Sequence, residues 1–144
     1  MRDLNFPDFQ FRFKNNENKR FIFDDIRKKY VLLTPEEWVR QHVVQFLIKV
    51  KMYPQSHINV EKVVKINDMN KRYDVVVFTP KGSIFLLVEC KEPSVQITQS
   101  VFDQIARYNL SLNAQFLMVT NGLNHYYCKL DYVNKKYQFL TDLP

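Results

Sequence analysis

The chain has 144 residues, enough for one domain with a sizeable core, and 46% of them are apolar. Its net charge of +6 permits a polyanionic partner without identifying one. With Gly82 and Gly122 as the only glycines, there is no material for a glycine-rich phosphate loop, and two cysteines (Cys90, Cys128) and three unclustered histidines exclude a disulfide framework and a structural zinc.

Residues 6–33 alternate aromatic and polar positions, with Phe9, Phe11 and Phe13 on one face, turn chemistry at Asn15-Asn16-Glu17-Asn18, and Phe21 and Phe23 resuming the pattern. This predicts an N-terminal hairpin. The basic run Arg27-Lys28-Lys29 that follows reads as solvated charge.

Thr34-Pro35-Glu36-Glu37 predicts a helix start, with Thr34 as cap, Pro35 at the first helical position and Glu37 completing a capping box. Val39, Val43, Phe46, Leu47 and Val50 recur at helical spacing, and Pro54 marks a stop. Glu36 shares the apolar face and is expected to point inward, whereas Glu37 shares its side with Arg40 and Gln41 and is accounted for by the cap.

Three strands follow. Residues 58–66 shift phase near Glu61-Lys62, which reads as a bulge, and Asn67-Asp68-Met69-Asn70 reads as a turn. Residues 72–79 and 83–91 are joined through Lys81-Gly82 as a hairpin. A second helix is expected from Thr98 to about Leu112, with Gln104 and Tyr108 side by side on one face, then strands at 115–120 and 125–130 and a short edge at 137–140. The order predicts an α/β sandwich with a mixed sheet. Residues 1–33 are read as an extension packed on a domain of residues 34–144. No apolar run reaches the roughly eighteen residues of a membrane span, and Met1 to Phe6 lack the layout of a signal peptide, so a cytoplasmic protein with no membrane contact is expected.

The chemistry lies in the second and third of these strands. The run Ile84 to Val88 is apolar until it meets Glu89 and Lys91, and such strands keep charge out of their interiors unless it is paired or binds a metal. Residues two apart share a face, so Glu89 and Lys91 point together while Cys90 packs on the other side. Across the hairpin, Asp74 is expected to meet them at one sheet edge. Two carboxylates there call for a cation, and hard oxygen ligands suit Mg²⁺, with Mn²⁺ as a substitute. Such an ion polarises a phosphodiester and acidifies a water while Lys91 offsets phosphate charge, which points to hydrolysis of a nucleic-acid backbone. Glu36 would add an oxygen ligand. The same spacing in Glu17-Asn18-Lys19 falls in a polar turn and carries nothing. Lys65, Arg72 and Arg107 are candidate phosphate contacts.

Pro35-Glu36-Glu37-Trp38-Val39-Arg40-Gln41, Arg72-Tyr73-Asp74-Val75-Val76-Val77, Val88-Glu89-Cys90-Lys91 and the Gln104/Tyr108 pair resemble, in order, signatures of the PD-(D/E)XK nuclease superfamily. The resemblance is closer still to the N-terminal nuclease domain of type I restriction enzyme R subunits. Tyr73 stands where the superfamily name has proline. The resemblance implies a restriction-endonuclease-like α-β-β-β-α-β core with a mixed sheet flanked by helices. It implies Asp74, Glu89 and Glu36 as metal ligands, Lys91 as the catalytic lysine, and Gln104 with Tyr108 as an accompanying pair. The activity it implies is Mg²⁺-dependent cleavage of DNA, with helicase or other restriction-system subunits as partners and a homodimer where paired cuts are made. The alternative expectation is a silent or partner-dependent nucleic-acid-binding or assembly module with the same fold.

Overall fold

Glu17 and Asn18 both adopt left-handed φ values, 50° and 65°, and close a two-residue turn between β1 (Phe13–Asn16) and β2 (Lys19–Asp24). The chain then reverses again. The Asp24 carboxylate accepts the backbone N–H groups of Ile26 (2.7 Å) and Arg27 (2.9 Å), and Lys28 takes a φ of 58°, which returns the chain as β3 (Lys29–Leu32). The expected hairpin is therefore a three-stranded antiparallel sheet, ordered β1-β2-β3. This computed structural model describes residues 1–66, 68–110 and 112–144.

Helix α1 (Pro35–Lys49) starts as its sequence predicts, with Thr34 Oγ1 accepting the Glu37 N–H at 3.0 Å. A six-stranded sheet follows in the order β4-β5-β6-β7-β8-β9. Its strands are β4 (Ile58–Ile66), β5 (Met69–Phe78), β6 (Ile84–Cys90), β7 (Phe116–Thr120), β8 (His125–Asp131) and β9 (Lys136–Leu140). Helix α2 (Gln99–Asn109), capped by Thr98, carries the chain from β6 to β7; these two strands pair in parallel, as a helical crossover requires, and the other neighbours are antiparallel. The turn expected at 67–70 includes Asn67, which lies outside the described residues, as does Ser111 beyond the end of α2.

The helices cover opposite faces of the sheet. Val39, Val43, Val44 and Leu47 of α1 pack on Val75, Val77, Leu86, Val88, Cys90 and Met118. Phe102 and Ala106 of α2 pack on Tyr73, Val76, Leu87, Leu117, Val119 and Cys128. Each fully buried Val or Leu contributes about 1.5–3 kcal/mol of transfer free energy, so these two clusters dominate the stability of the sheet. Residues 1–12 run over α1: Asn5 N–H donates to Gly122 O (2.8 Å), Trp38 Nε1 donates to Arg2 O (2.7 Å), and Phe11 packs on Trp38 and His42. No helix among the described residues is long and apolar enough to cross a membrane.

Candidate functional site

The alternation of β5 breaks at Asp74. Tyr73 lies in the α2-side cluster and Val75 in the α1-side cluster, although a regular strand would put both on one face. On one flank the pairing with β4 holds at Val60↔Val75 and Lys62↔Tyr73 but opens between them, where Glu61 has a φ of 54°. The register is the same on both sides, so the expected bulge inserts no residue; a left-handed Glu61 opens the ladder instead. On the other flank the pairing with β6 runs only to Val75↔Val88, and Asp74 Oδ2 accepts the Cys90 N–H at 2.8 Å. A side chain thus replaces the next backbone bond and sits level with the residue between Glu89 and Lys91.

Helix α1 brings cations and acids to this break. Arg40 Nη2 donates to Asp74 Oδ1 (2.8 Å) and to Glu36 Oε1 (3.0 Å), and Arg40 Nη1 donates to Glu37 Oε1 (2.7 Å). Glu61 Oε1 lies 3.5 Å from the same Nη2. Burial alone would lower the pKa of Arg40, but the Asp74 hydrogen bond and the charges of Glu37 and Asp74 hold it above its ordinary value. Its Nε is buried with no hydrogen-bond partner among the described residues.

Two expectations for α1 change places. The Glu37 side chain is only 7% exposed, receives Arg27 Nη2 (2.8 Å) and Arg40 on Oε1, and accepts Gln41 Nε2 (3.1 Å) on Oε2, while Glu36 is 47% exposed. Glu37 is the inward acid, because Arg27 arrives from the turn after β2. Arg27 is accordingly not solvated charge: its Nε binds Asp24 Oδ2 at 2.6 Å. Glu36 remains beside the break. Partial burial, followed by the nearby negative charge of Asp74, raises its pKa, and Arg40 and Lys91 oppose the rise. Glu36, Asp74 and Lys91 therefore share one electrostatic neighbourhood.

Glu89 is held differently. It lies between Val88 and Cys90, both in the α1-side cluster, so it faces the α2 side, where Lys71 Nζ donates to its Oε1 at 2.5 Å. That ammonium also lies 4.9 Å from the Tyr73 ring centroid and 4.4 Å from that of Tyr108. Tyr108 is thereby tied to Glu89, and Gln104, four residues earlier on α2, is exposed beside Asp103 and Arg107. Lys91 follows β6, with its backbone N–H on Thr120 O (2.8 Å) and its side chain half-buried. Cys90 is buried on the α1 side, as expected.

The strand break thus brings Asp74 and Glu36 together on the α1 side, where the charge of Lys91 also reaches Glu36, while Lys71 bridges Glu89 and Tyr108 on the other; Asp74 and Glu89 do not meet at one sheet edge as expected. Among the described residues, no three His, Cys, Asp or Glu side chains are assembled as a cation site. The donors are nonetheless hard carboxylate oxygens, and burial together with the nearby Asp74 charge disfavours an uncompensated Glu36 carboxylate. Sequence reasoning missed Arg40, Lys71, Glu61 and the Asp24-Arg27-Glu37 relay. Arg40 had one available signal, since it stands four residues after Glu36.

The architecture is that of a mixed α/β protein whose polar groups collect where two central strands part. The family model for the type I restriction enzyme R protein N terminus matches residues 35–144, and the chain belongs to that family. No curated protein matches the chain.

Proposed function

We propose that this protein is a divalent-metal-dependent endonuclease of a restriction system, acting on DNA through a restriction-endonuclease-like core. The observation that carries the reading is the Asp74 carboxylate on the Cys90 N–H, which sets an acid level with Glu89-Cys90-Lys91 at an opened ladder. Family membership supports it independently. Asp74 and Glu36, which share Arg40 on the α1 side, are the residues that would hold Mg²⁺ or Mn²⁺; Glu89 would join them only by leaving Lys71 on the opposite face, and the ion would supply charge neutralisation at the scissile phosphate. Lys91 offsets charge developing on phosphate oxygens and positions water by hydrogen bonding. Arg40 keeps Asp74 and Glu36 oriented, and Lys71 does the same for Glu89. Gln104 and Tyr108 line the approach from α2. Other restriction-system subunits are the partners this reading calls for, and a second copy is required where both strands are cut.

A second reading, a partner-dependent or silent binding module, draws on one observation. Asp74 and Glu89 each already carry a protein cation, Arg40 and Lys71. Cleavage assays with plasmid DNA and Mg²⁺ or Mn²⁺ separate the two: the enzyme reading requires cutting that depends on Asp74 and Lys91, whereas the module reading requires DNA binding without cutting.

A further inference from the structure

The sheet β1-β2-β3 is separate from the six-stranded sheet and precedes the residues matched by the family model. Its strand register sorts its side chains into two faces. Phe13, Ile22 and Val31 lie opposite one another on the inner face, where Ile22 is fully buried and Phe13 approaches Trp38. Lys14, Phe21 and Leu32 form a row on the outer face, and Phe23 pairs with Tyr30 in the next row. Arg12 O accepts the Phe23 N–H (2.9 Å), which extends that second row to Arg12.

This outer face joins cations to aromatic rings. The Arg12 guanidinium lies 3.9 Å from the Phe23 ring centroid, the Lys14 ammonium lies 5.4 Å from that of Tyr30, and Phe23 meets Tyr30 edge-on. Tyr30 and Leu32 remain exposed. Between Arg12 and Leu32 the chain holds seven Lys or Arg against three Asp or Glu, so this short segment supplies +4 of the total +6. Of the three acids, Asp24 is turned inward onto Arg27 and Gln41.

We propose that the outer face of this sheet binds single-stranded nucleic acid, with Tyr30 and Phe23 stacking bases and Arg12, Lys14 and Lys19 contacting phosphates. Charge selects a polyanion, and the rings select one whose base faces are open. A duplex hides its base faces and would use only the cations. The sheet is also fixed relative to the strand break. Asp24 follows Phe23 and binds Arg27, Arg27 binds Glu37, and Glu37 shares Arg40 with Asp74. The inference rests on the reading that the protein acts on nucleic acid, and adds that it engages an unpaired strand.

The test is fluorescence anisotropy with a labelled oligothymidylate and a duplex of equal length, in EDTA so that cleavage plays no part. The single strand should bind more tightly. Tyr30→Ala should weaken it about tenfold while Tyr30→Phe retains it. Arg12→Ala with Lys14→Ala should reduce the slope of log affinity against log salt by about 1.4. Lys14→Glu, at an exposed position, gives a second charge variant that does not disturb the inner face, and Lys81→Ala at the β5–β6 turn should match wild type. Equal affinity for Tyr30→Ala and Tyr30→Phe, an unchanged salt slope, or duplex binding as tight as single-strand binding would overturn the inference. So would loss of a protein partner in these variants with oligothymidylate affinity intact. In wild type, binding without cleavage when Mg²⁺ is supplied would sink the nuclease reading alone, and cleavage without this binding would sink only the present one.

Discussion

Arg40 Nη2 donates to Asp74 Oδ1 at 2.8 Å and ties the first helix to the opened strand. The same nitrogen holds Glu36 at 3.0 Å, so one guanidinium links two of the acids assigned to the metal. Replacing Arg40 with Met leaves Glu37 and Asp74 without their shared cation, at a cost of about 3–5 kcal/mol. If these acids also hold a divalent ion, Mn²⁺ should restore part of that loss and raise the thermal midpoint more in Arg40→Met than in wild type. An equal Mn²⁺ shift in both proteins would separate Arg40 from the ion.

Asp24 makes the fold sensitive to acid. Burial pushes its carboxyl up, but the Arg27 backbone N–H, the Arg27 guanidinium and the Gln41 amide together hold it below its ordinary value of 3.8. A folded-state pKa below the unfolded one adds stability that is complete above about 3.8 and is lost as pH falls through the lower folded value. Asp24→Asn should therefore lose about 3 kcal/mol near neutral pH and show a flatter decline into acid. Urea unfolding across a pH series measures both; an unaltered acid limb would show that Asp24 is not its source.

Gly122 is a packing checkpoint. Its φ is +87°, and an added Cβ would meet Leu4 Cδ2 at 2.9 Å and Val39 Cγ2 at 3.0 Å. Gly122→Ala should cost about 2 kcal/mol through backbone strain and overpacking. It should also loosen residues 1–12, because Gly122 O accepts the Asn5 N–H. Limited proteolysis should then cut before Phe13 sooner than in wild type; an unchanged digestion pattern would show that the first residues are held elsewhere.

Much of this arrangement was legible because it rests on local rules. Thr34-Pro35 caps a helix wherever it occurs in such a context, Asn121-Gly122 supplies a left-handed turn residue, and the apolar run from Ile84 to Val88 is a strand buried on both faces. Counting back from the hairpin sets Asp74 level with the end of the strand that carries Glu89. What escaped depends on partners distant in sequence. Glu37 became the inward acid because Arg27, ten residues earlier, folds back through the Asp24 turn. Strand β3 has only four residues and no alternation long enough to detect. Glu61 looked like an inserted residue, yet it opens the ladder by its φ alone, which composition does not specify. The Lys71–Glu89 pair joins residues eighteen apart on neighbouring strands, and nothing in either segment marks them as partners.

Lys71 sets the charge around Glu89 through its 2.5 Å contact. Lys71→Met removes a cation from an acid assigned to the metal, so Mn²⁺ affinity measured by calorimetry should rise severalfold, by roughly 1 kcal/mol or more at an effective dielectric near 20. Weaker Mn²⁺ binding would mean that Lys71 is needed to hold Glu89 in place.

The central claim is that Asp74 and Lys91 carry phosphodiester cleavage. The direct measurement incubates supercoiled plasmid with Mg²⁺ and wild type, Asp74→Ala or Lys91→Ala, each checked for an intact fold by its thermal midpoint. Wild type should nick or linearise the plasmid, and each variant should lose at least about a hundredfold in rate. Equal cleavage by all three proteins would contradict the account.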